Sequence, residues 1–255
     1  MKKLGTVVLA ASSAALSWAQ APPFQFIQVD YMKVAPGKGS EYVRLERELF
    51  KPIHADRVNN GKIVSWNLWA VRLPGGSGAP YGYATSTGFA NFAAMESSYQ
   101  GTDVAKIHPN LAQGELGARA SAARDLVRSD VLSVVAATEG EPKSRKYATV
   151  HFHKATPGKG GDYVRALREY WKPLHDQLVT SGKITGWVAT AVRYPGGSRR
   201  PHDFVTVMFY DSFAAIENPY QGADTALMKE AVARSEPARQ TVRTELWTLL
   251  DRLSK

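Results

Sequence analysis

One stretch of the chain is written twice, and that repetition constrains the fold more than any other feature. Val29–Ser77 laid on Val150–Ser198, 121 positions further on, matches at 26 of 49 positions without a gap. The identities include Pro36-Gly37-Lys38-Gly39 with Pro157-Gly158-Lys159-Gly160, Lys51-Pro52 with Lys172-Pro173, and His54 with His175. They continue through Gly61-Lys62-Ile63 with Gly182-Lys183-Ile184, Trp66 with Trp187, Arg72 with Arg193, and Pro74-Gly75-Gly76-Ser77 with Pro195-Gly196-Gly197-Ser198. A weaker match reaches Phe92 and Tyr99-Gln100-Gly101, against Phe213 and Tyr220-Gln221-Gly222. Each copy therefore encodes one structural unit, because the same apolar pattern has to be buried twice.

Each copy reads as β-α-β-β-α-β. In the first, alternation marks a strand over 24–34, with Ile27, Val29 and Tyr31 on one face and Gln28, Asp30 and Met32 on the other. The Pro-Gly turn leads into a helix over 40–60 whose buried stripe is Tyr42, Leu45, Leu49 and Ile53. Pro52 withdraws a backbone donor and is expected to kink that helix; Gly61 ends it. Strands follow over 63–73, 81–88 and 126–136, with a broken second helix over 89–99 and 103–114. The second copy has strands over 146–154, 183–194, 202–210 and 240–250, and helices over 161–181 and 212–234. The first copy carries about six extra residues around 113–122. The repeats are thus placed at 24–136 and 147–251, joined by a polar linker over 137–146 that contains Gly140 and Pro142.

A β-α-β-β-α-β unit forms an antiparallel sheet with both helices on one face and leaves the other face bare. A partly apolar bare face needs a cover, and two tandem units can cover each other. In this element order and duplication the chain resembles the dimeric α+β barrel (ferredoxin-like) superfamily, in a fused tandem form. The resemblance implies an α+β fold in which two ferredoxin-like repeats pack sheet to sheet as a pseudo-dimer. It also implies a monomer that satisfies its pairing internally, with further association left open, and a cavity between sheet and helices for a small organic ligand. The superfamily includes cofactor-independent monooxygenases, EthD-like proteins, stress-responsive barrel proteins and haem-handling enzymes, so it does not select a reaction.

The first residues have the form of a secretory signal peptide. Lys2 and Lys3 precede an apolar run from Leu4 to Leu16, and Ser17-Trp18-Ala19 offers small residues for cleavage, which sets the segment at 1–19. The expected location is therefore exported, periplasmic or extracellular. The chain contains no cysteine, which excludes disulfides, thiolate metal sites and cysteine nucleophiles. The net charge of +9 reads as a basic solvated surface, since no basic block or aromatic-basic ribbon marks a nucleic-acid module. No later segment is apolar enough to span a membrane.

Candidate site residues come from the duplication and from its one chemically loaded difference. His54 and His175 follow Lys-Pro-x and lie one turn beyond the proline. There each is either a general base or ligand contact at a cavity mouth, or a brace bonded to backbone groups that the kink frees. Trp66 and Trp187 share a sheet face with Arg72 and Arg193, an arrangement for an aromatic wall with a cation, or for core with a surface charge. In the second copy His151 and His153 replace Asp30 and Met32. The strand order brings His202-Asp203 near them, with Glu245 on the flanking strand. That set is read either as a zinc, copper or non-haem iron site or as metal-free acid/base groups. The glycine-rich loops at 74–78 and 195–198 join strand to strand and lack the features of a phosphate cradle. No Gly-x-Ser-x-Gly elbow is present.

The expectation is an exported protein that binds a small aromatic or apolar molecule, with cofactor-independent oxygenase or proton-transfer activity and no resident cofactor. The alternatives are a non-catalytic envelope interaction module, whose interior would be filled by side chains, or a haem- or metal-binding protein using His151, His153 and His202. For haem the sequence offers histidines but no family-specific ligand motif.

Overall fold

Four strands form in each copy, as the alternating patterns dictate. The computed structural model describes residues 24–76, 78–139 and 145–254; the leader at 1–19 and residues 140–144 of the linker lie outside the described residues. The strands are β1 (Phe26–Val34), β2 (Ser65–Leu73), β3 (Tyr83–Phe89), β4 (Arg124–Ala137), β5 (Tyr147–Ala155), β6 (Gly186–Tyr194), β7 (Phe204–Tyr210) and β8 (Arg239–Ser254). Within each copy the order is β4-β1-β3-β2 or β8-β5-β7-β6, all antiparallel, which is the ferredoxin-like arrangement.

The two sheets do more than stack. The second strand of each copy pairs with the long fourth strand of the other, β2 with β8 and β4 with β6, and this closes an eight-stranded barrel. Closure removes the edges that a lone ferredoxin-like unit would leave unpaired. β4 and β8 are long enough, at 14 and 16 residues, to serve their own sheet at one end and the partner sheet at the other.

The helices lie outside the barrel. In the first copy they are α1 (Gly39–Leu45), α2 (Lys51–Asn59), α3 (Phe92–Glu96), α4 (Val104–Ile107) and α5 (Glu115–Ala123); in the second they are α6 (Gly160–Ala166), α7 (Lys172–Thr180) and α8 (Thr225–Ser235). The kink expected at Pro52 is a widened π-helical turn, Glu46–Phe50, that joins α1 to α2. Pro52 cannot donate to the carbonyl four residues back and its ring crowds that group; a wider turn accommodates both. Leu167–Trp171 does the same ahead of Pro173. Gly61 and Gly182, at φ 68° and 71°, stop the helices in the left-handed conformation that glycine adopts without penalty.

The second helical region departs from the sequence reading. Phe89 belongs to β3, and the stretch taken as a broken helix holds only the short α3 and α4, capped by the Asn91 and Asp103 side chains. The helix proper, α5, lies in the stretch read as extra residues; its Ala120 and Ala123 are buried with Tyr42 and Leu45 of α1. In the second copy a 3-10 turn at Ala214–Ile216 precedes α8, so the helix starts at Thr225, where Asp224 caps it. Three cores result: one inside the barrel and one between each helix layer and the sheet.

Candidate functional site

Inward side chains of a small barrel either fill it or leave a ligand space. Here they leave a cavity of about 700 Å3, a size that suits a small organic ligand. It lies inside the barrel, between the two sheets, and not between sheet and helices as the resemblance implied. Every strand lays its inward residues against it. Ile27, Val29, Leu132, Ala148, Val150, Val188, Val205, Val207 and Phe209 make the walls apolar, and Tyr31, Trp69 and Trp247 add broad aromatic surfaces. The few polar groups are held by one another: Asn67 Nδ2 and Trp69 Nε1 donate to Ser86 Oγ at 3.1 and 3.2 Å, and Thr190 Oγ1 donates to the Val205 carbonyl at 2.9 Å. The open end is polar, bordered by Thr138, Glu139, Arg145, Arg168 and Lys172.

The opposite end is closed by two charged clusters, each built from residues of both copies. In the first, Arg243 Nε and Tyr81 Oη both donate to Glu245 Oε1, at 2.7 and 2.6 Å. Arg243 Nη2 donates to the Tyr81 hydroxyl at 2.9 Å, and Trp247 Nε1 donates to Glu245 Oε2 at 2.8 Å. In the second, Arg128 Nε donates to Asp130 Oδ1 at 2.6 Å, and His202 Nε2 lies 3.3 Å from Asp130 Oδ2. Asp130 and His202 are fully buried. Burial, then the Asp130 charge, pushes the Tyr31 hydroxyl well above its ordinary pKa; burial and Glu245 do the same for Tyr81. Both phenols therefore stay protonated.

Sequence reasoning named His202 and Glu245 but placed them in one group, and it missed Arg128, Asp130, Arg243 and Tyr81. A signal was present. Val127-Arg128-Ser129-Asp130 echoes Val242-Arg243-Thr244-Glu245 at an offset of 115, beyond the six extra residues.

The other candidate residues lie on the outer face. His54 stacks on Trp66 (ring centroids 5.0 Å apart) and accepts from Arg57 Nη1 at Nδ1, 2.8 Å. His175 stacks on Trp187 (4.4 Å, interplanar angle 6°), donates from Nδ1 to the Trp171 carbonyl at 2.7 Å, and faces the Tyr220 hydroxyl with Nε2 at 3.1 Å. Trp171 stands in the widened turn, so His175 braces that turn, and both histidines pack a helix onto the sheet. Burial, then the Arg57 charge, depresses His54 to about 3, and burial depresses His175 to about 3. Trp66 belongs to the helix-side core, and Trp187 does too while also bordering the cavity. Arg72 and Arg193 are exposed at the ends of β2 and β6 and line no cavity wall.

The three second-copy histidines do not converge. His151 and His153 alternate onto the outer face of β5, while Phe152 between them points into the barrel. His151 is bonded to Thr244 and Thr149 (3.0 and 3.3 Å), and His153 to Thr241 and Thr206 (3.2 and 3.1 Å). Burial, then Arg239, depresses them to about 4 and about 3. His202 packs edge-on to Phe152 on the barrel side. Asp203 accepts from Arg200, Lys154 and the Ala155 N–H instead of joining the histidines. Among the described residues no three His, Asp or Glu side chains are grouped to hold a metal ion. A haem fits the barrel no better. None of the six histidines borders the cavity, so a haem there would find no histidine ligand.

Among solved structures, the chain is similar to a candidate monooxygenase from Lactobacillus acidophilus, with a TM-score of 0.61 and 11% identity over 91% of this chain and 96% of that one. It is also similar to an anthrone oxidase-like protein (TM-score 0.54, 13% identity, 91% and 94% covered). A third is a dye-decolorizing peroxidase from Bacteroides thetaiotaomicron (TM-score 0.54, 7% identity, 90% and 93% covered). No protein-family model and no curated protein matches the chain. At these identities the likeness establishes architecture and not chemistry. The architecture is a closed α+β barrel of dimeric type, with both ferredoxin-like halves carried on one chain.

Proposed function

We propose that the barrel cavity binds a small, largely apolar, aromatic-sized organic molecule, in a protein exported behind the segment at 1–19. The observation that carries this reading is the 700 Å3 space between the sheets. A module used only for surface interaction has no need of such a space and would gain stability by filling it, since apolar voids are costly. Trp69, Trp247 and Tyr31 supply flat surfaces for an aromatic ring, and the polar rim at the open end supplies a route for entry.

Oxygenase or proton-transfer chemistry is the finer reading, and the monooxygenase and anthrone oxidase-like folds lend it support. Such chemistry requires a group that takes a proton from the ligand. Within the apolar walls the titratable group is Tyr31, which stays protonated and so can donate to a ligand oxygen but cannot serve as a base, and the carboxylate Glu139 stands only at the polar open end. Binding is therefore the reading best supported by these walls.

The test is a titration of the intrinsic tryptophan fluorescence with naphthalene. Trp69 and Trp247 stand in the wall, so emission should change and saturate. Ala148→Phe, which places a ring in the space from a fully buried wall position, should weaken binding by about tenfold or more, the scale of one lost ring-sized contact. Equal binding by both proteins would put the ligand outside the barrel. For export, the mass of the chain recovered outside the cytoplasm should correspond to cleavage after Ala19.

A further inference from the structure

The duplication gives the cavity floor an internal control. The two clusters there share the same Arg-x-carboxylate strand segment, yet one is complete and the other is not. In the complete cluster the Tyr81 hydroxyl accepts from Arg243 Nη2 and donates to Glu245, and Trp247 satisfies the second carboxylate oxygen. In the other, His202 stands where Tyr81 does and Leu132 where Trp247 does. Leucine has no donor, and the imidazole reaches Asp130 only through a long 3.3 Å contact of Nε2 with Oδ2. Four buried atoms are left without a well-formed hydrogen bond: Asp130 Oδ2, Arg128 Nη2, and both nitrogens of His202. Buried polar atoms lose the full cost of their desolvation unless something bonds to them.

We infer that Arg128, Asp130 and His202 form a polar subsite that takes one hydroxyl oxygen, from a hydroxylated aromatic ligand or from water, in the role that Tyr81 plays in the other half. The chemistry follows from the orphaned atoms. Arg128 offers a donor and Asp130 an acceptor, and only a group that both accepts and donates satisfies the two at once. The Arg128 and Asp130 charges cancel, so the site suits a neutral hydroxyl better than a second anion. It adjoins the cavity: Asp130 stands opposite Val29 in the β1–β4 ladder and two residues from Leu132, both of which are cavity walls. The ligand arm of this inference rests on the proposed aromatic binding in the barrel; the water arm does not.

The experiment compares dissociation constants for naphthalene and 2-naphthol at neutral pH, where the naphthol is uncharged. The wild type should prefer 2-naphthol by about tenfold or more, the worth of a hydrogen bond to a charged group, although naphthol is the more polar molecule. His202→Tyr supplies the hydroxyl from the protein and should bring the ratio near one. Asp130→Asn, which keeps the side-chain shape, should lower the ratio as well and covers the case in which the tyrosine variant does not fold. A wild type without preference, whose crystal structure shows one ordered water between Arg128 and Asp130, assigns the subsite to water. That result also holds if neither compound binds, an outcome that removes the cavity reading alone. No preference and no such water overturns the inference, as does a naphthol preference that both variants leave intact.

Discussion

The outer and inner faces of the barrel wall have diverged to different extents between the two copies. On the helix-covered face Tyr42 and Tyr163, His54 and His175, Ile63 and Ile184, and Trp66 and Trp187 are the same residues at the same packing positions. On the cavity face the pairs are Ile27 and Ala148, Tyr31 and Phe152, Asn67 and Val188, Trp69 and Thr190, Ser86 and Val207, Gly88 and Phe209, while Val29 and Val150, and Val71 and Val192, are alike. The physical reason lies in what each face must satisfy. Each helix pair packs on its own sheet, so the same solution serves twice. The cavity is one space enclosed by both halves, and a ligand without two-fold symmetry meets its two walls differently. Difference between the copies therefore marks the site better than identity does.

The largest effect that tests this contrast is on stability. Trp66→Ala should cost about 3–5 kcal/mol in chemical denaturation, the range for emptying a large buried aromatic site, because Trp66 is only 1% exposed and carries the stacked His54. Trp69→Ala should cost less, since part of its ring already faces open space. Its main effect should be on naphthalene affinity, which Trp66→Ala should change little in whatever protein remains folded, since Trp66 lines no cavity wall. If the two substitutions exchanged these signatures, the division between a packing face and a binding face would be wrong.

A smaller effect separates the faces by pH. His54, His153 and His175 are held near 3 and His151 near 4 in the folded chain, against an ordinary value of about 6.5 when unfolded. Between those limits the unfolded chain binds more protons. Stability is then fully present above pH 6.5 and is lost as the pH falls toward the folded values. Each fully buried imidazole contributes at most about 2 kcal/mol of that loss by pH 5. His175→Gln should flatten the slope of stability between pH 6.5 and 4. Because no histidine borders the cavity, naphthalene affinity should stay level over the same range wherever the protein is folded. A parallel fall in affinity would mean that a titrating group reaches the ligand.

Much of the fold was legible, and the site much less so, for identifiable reasons. Duplication, strand alternation and the Lys-Pro-x-His turns name the elements and their order because these are local patterns. Period-two alternation divides Val150 and Phe152 from His151 and His153 correctly. It cannot say which face meets helices and which meets the other sheet, so residue chemistry alone drew attention to the histidine face. The pairings of β2 with β8 and β4 with β6 depend on contacts far apart in sequence, and with them goes the position of the cavity. Helix α5 was misjudged because the alignment marks 113–122 as surplus, although Ala118, Ala120, Ala122 and Ala123 are good helix formers. The Arg128 and Arg243 clusters were readable in the repeated strand motif, but only after allowing the offset to shift.

The smallest expected effect concerns an identity on the repeated strands that neither packing nor cavity explains, Arg72 with Arg193. Both side chains are exposed beyond the barrel wall. Arg193 has no ring contact among those described, and its replacement by alanine should change stability by no more than about 0.5 kcal/mol, as for an exposed residue outside any cap or network. Arg72 holds its guanidinium 5.8 Å from the ring of Phe213, a residue of the other copy. At an exposed site that contact is worth about 0.5–1 kcal/mol, so Arg72→Ala should cost slightly more than Arg193→Ala. Phe213→Ala should remove the difference between them. Neither arginine should affect naphthalene affinity. A ligand response to Arg72→Ala would extend the binding surface around the end of β2 and join two faces that the packing keeps apart.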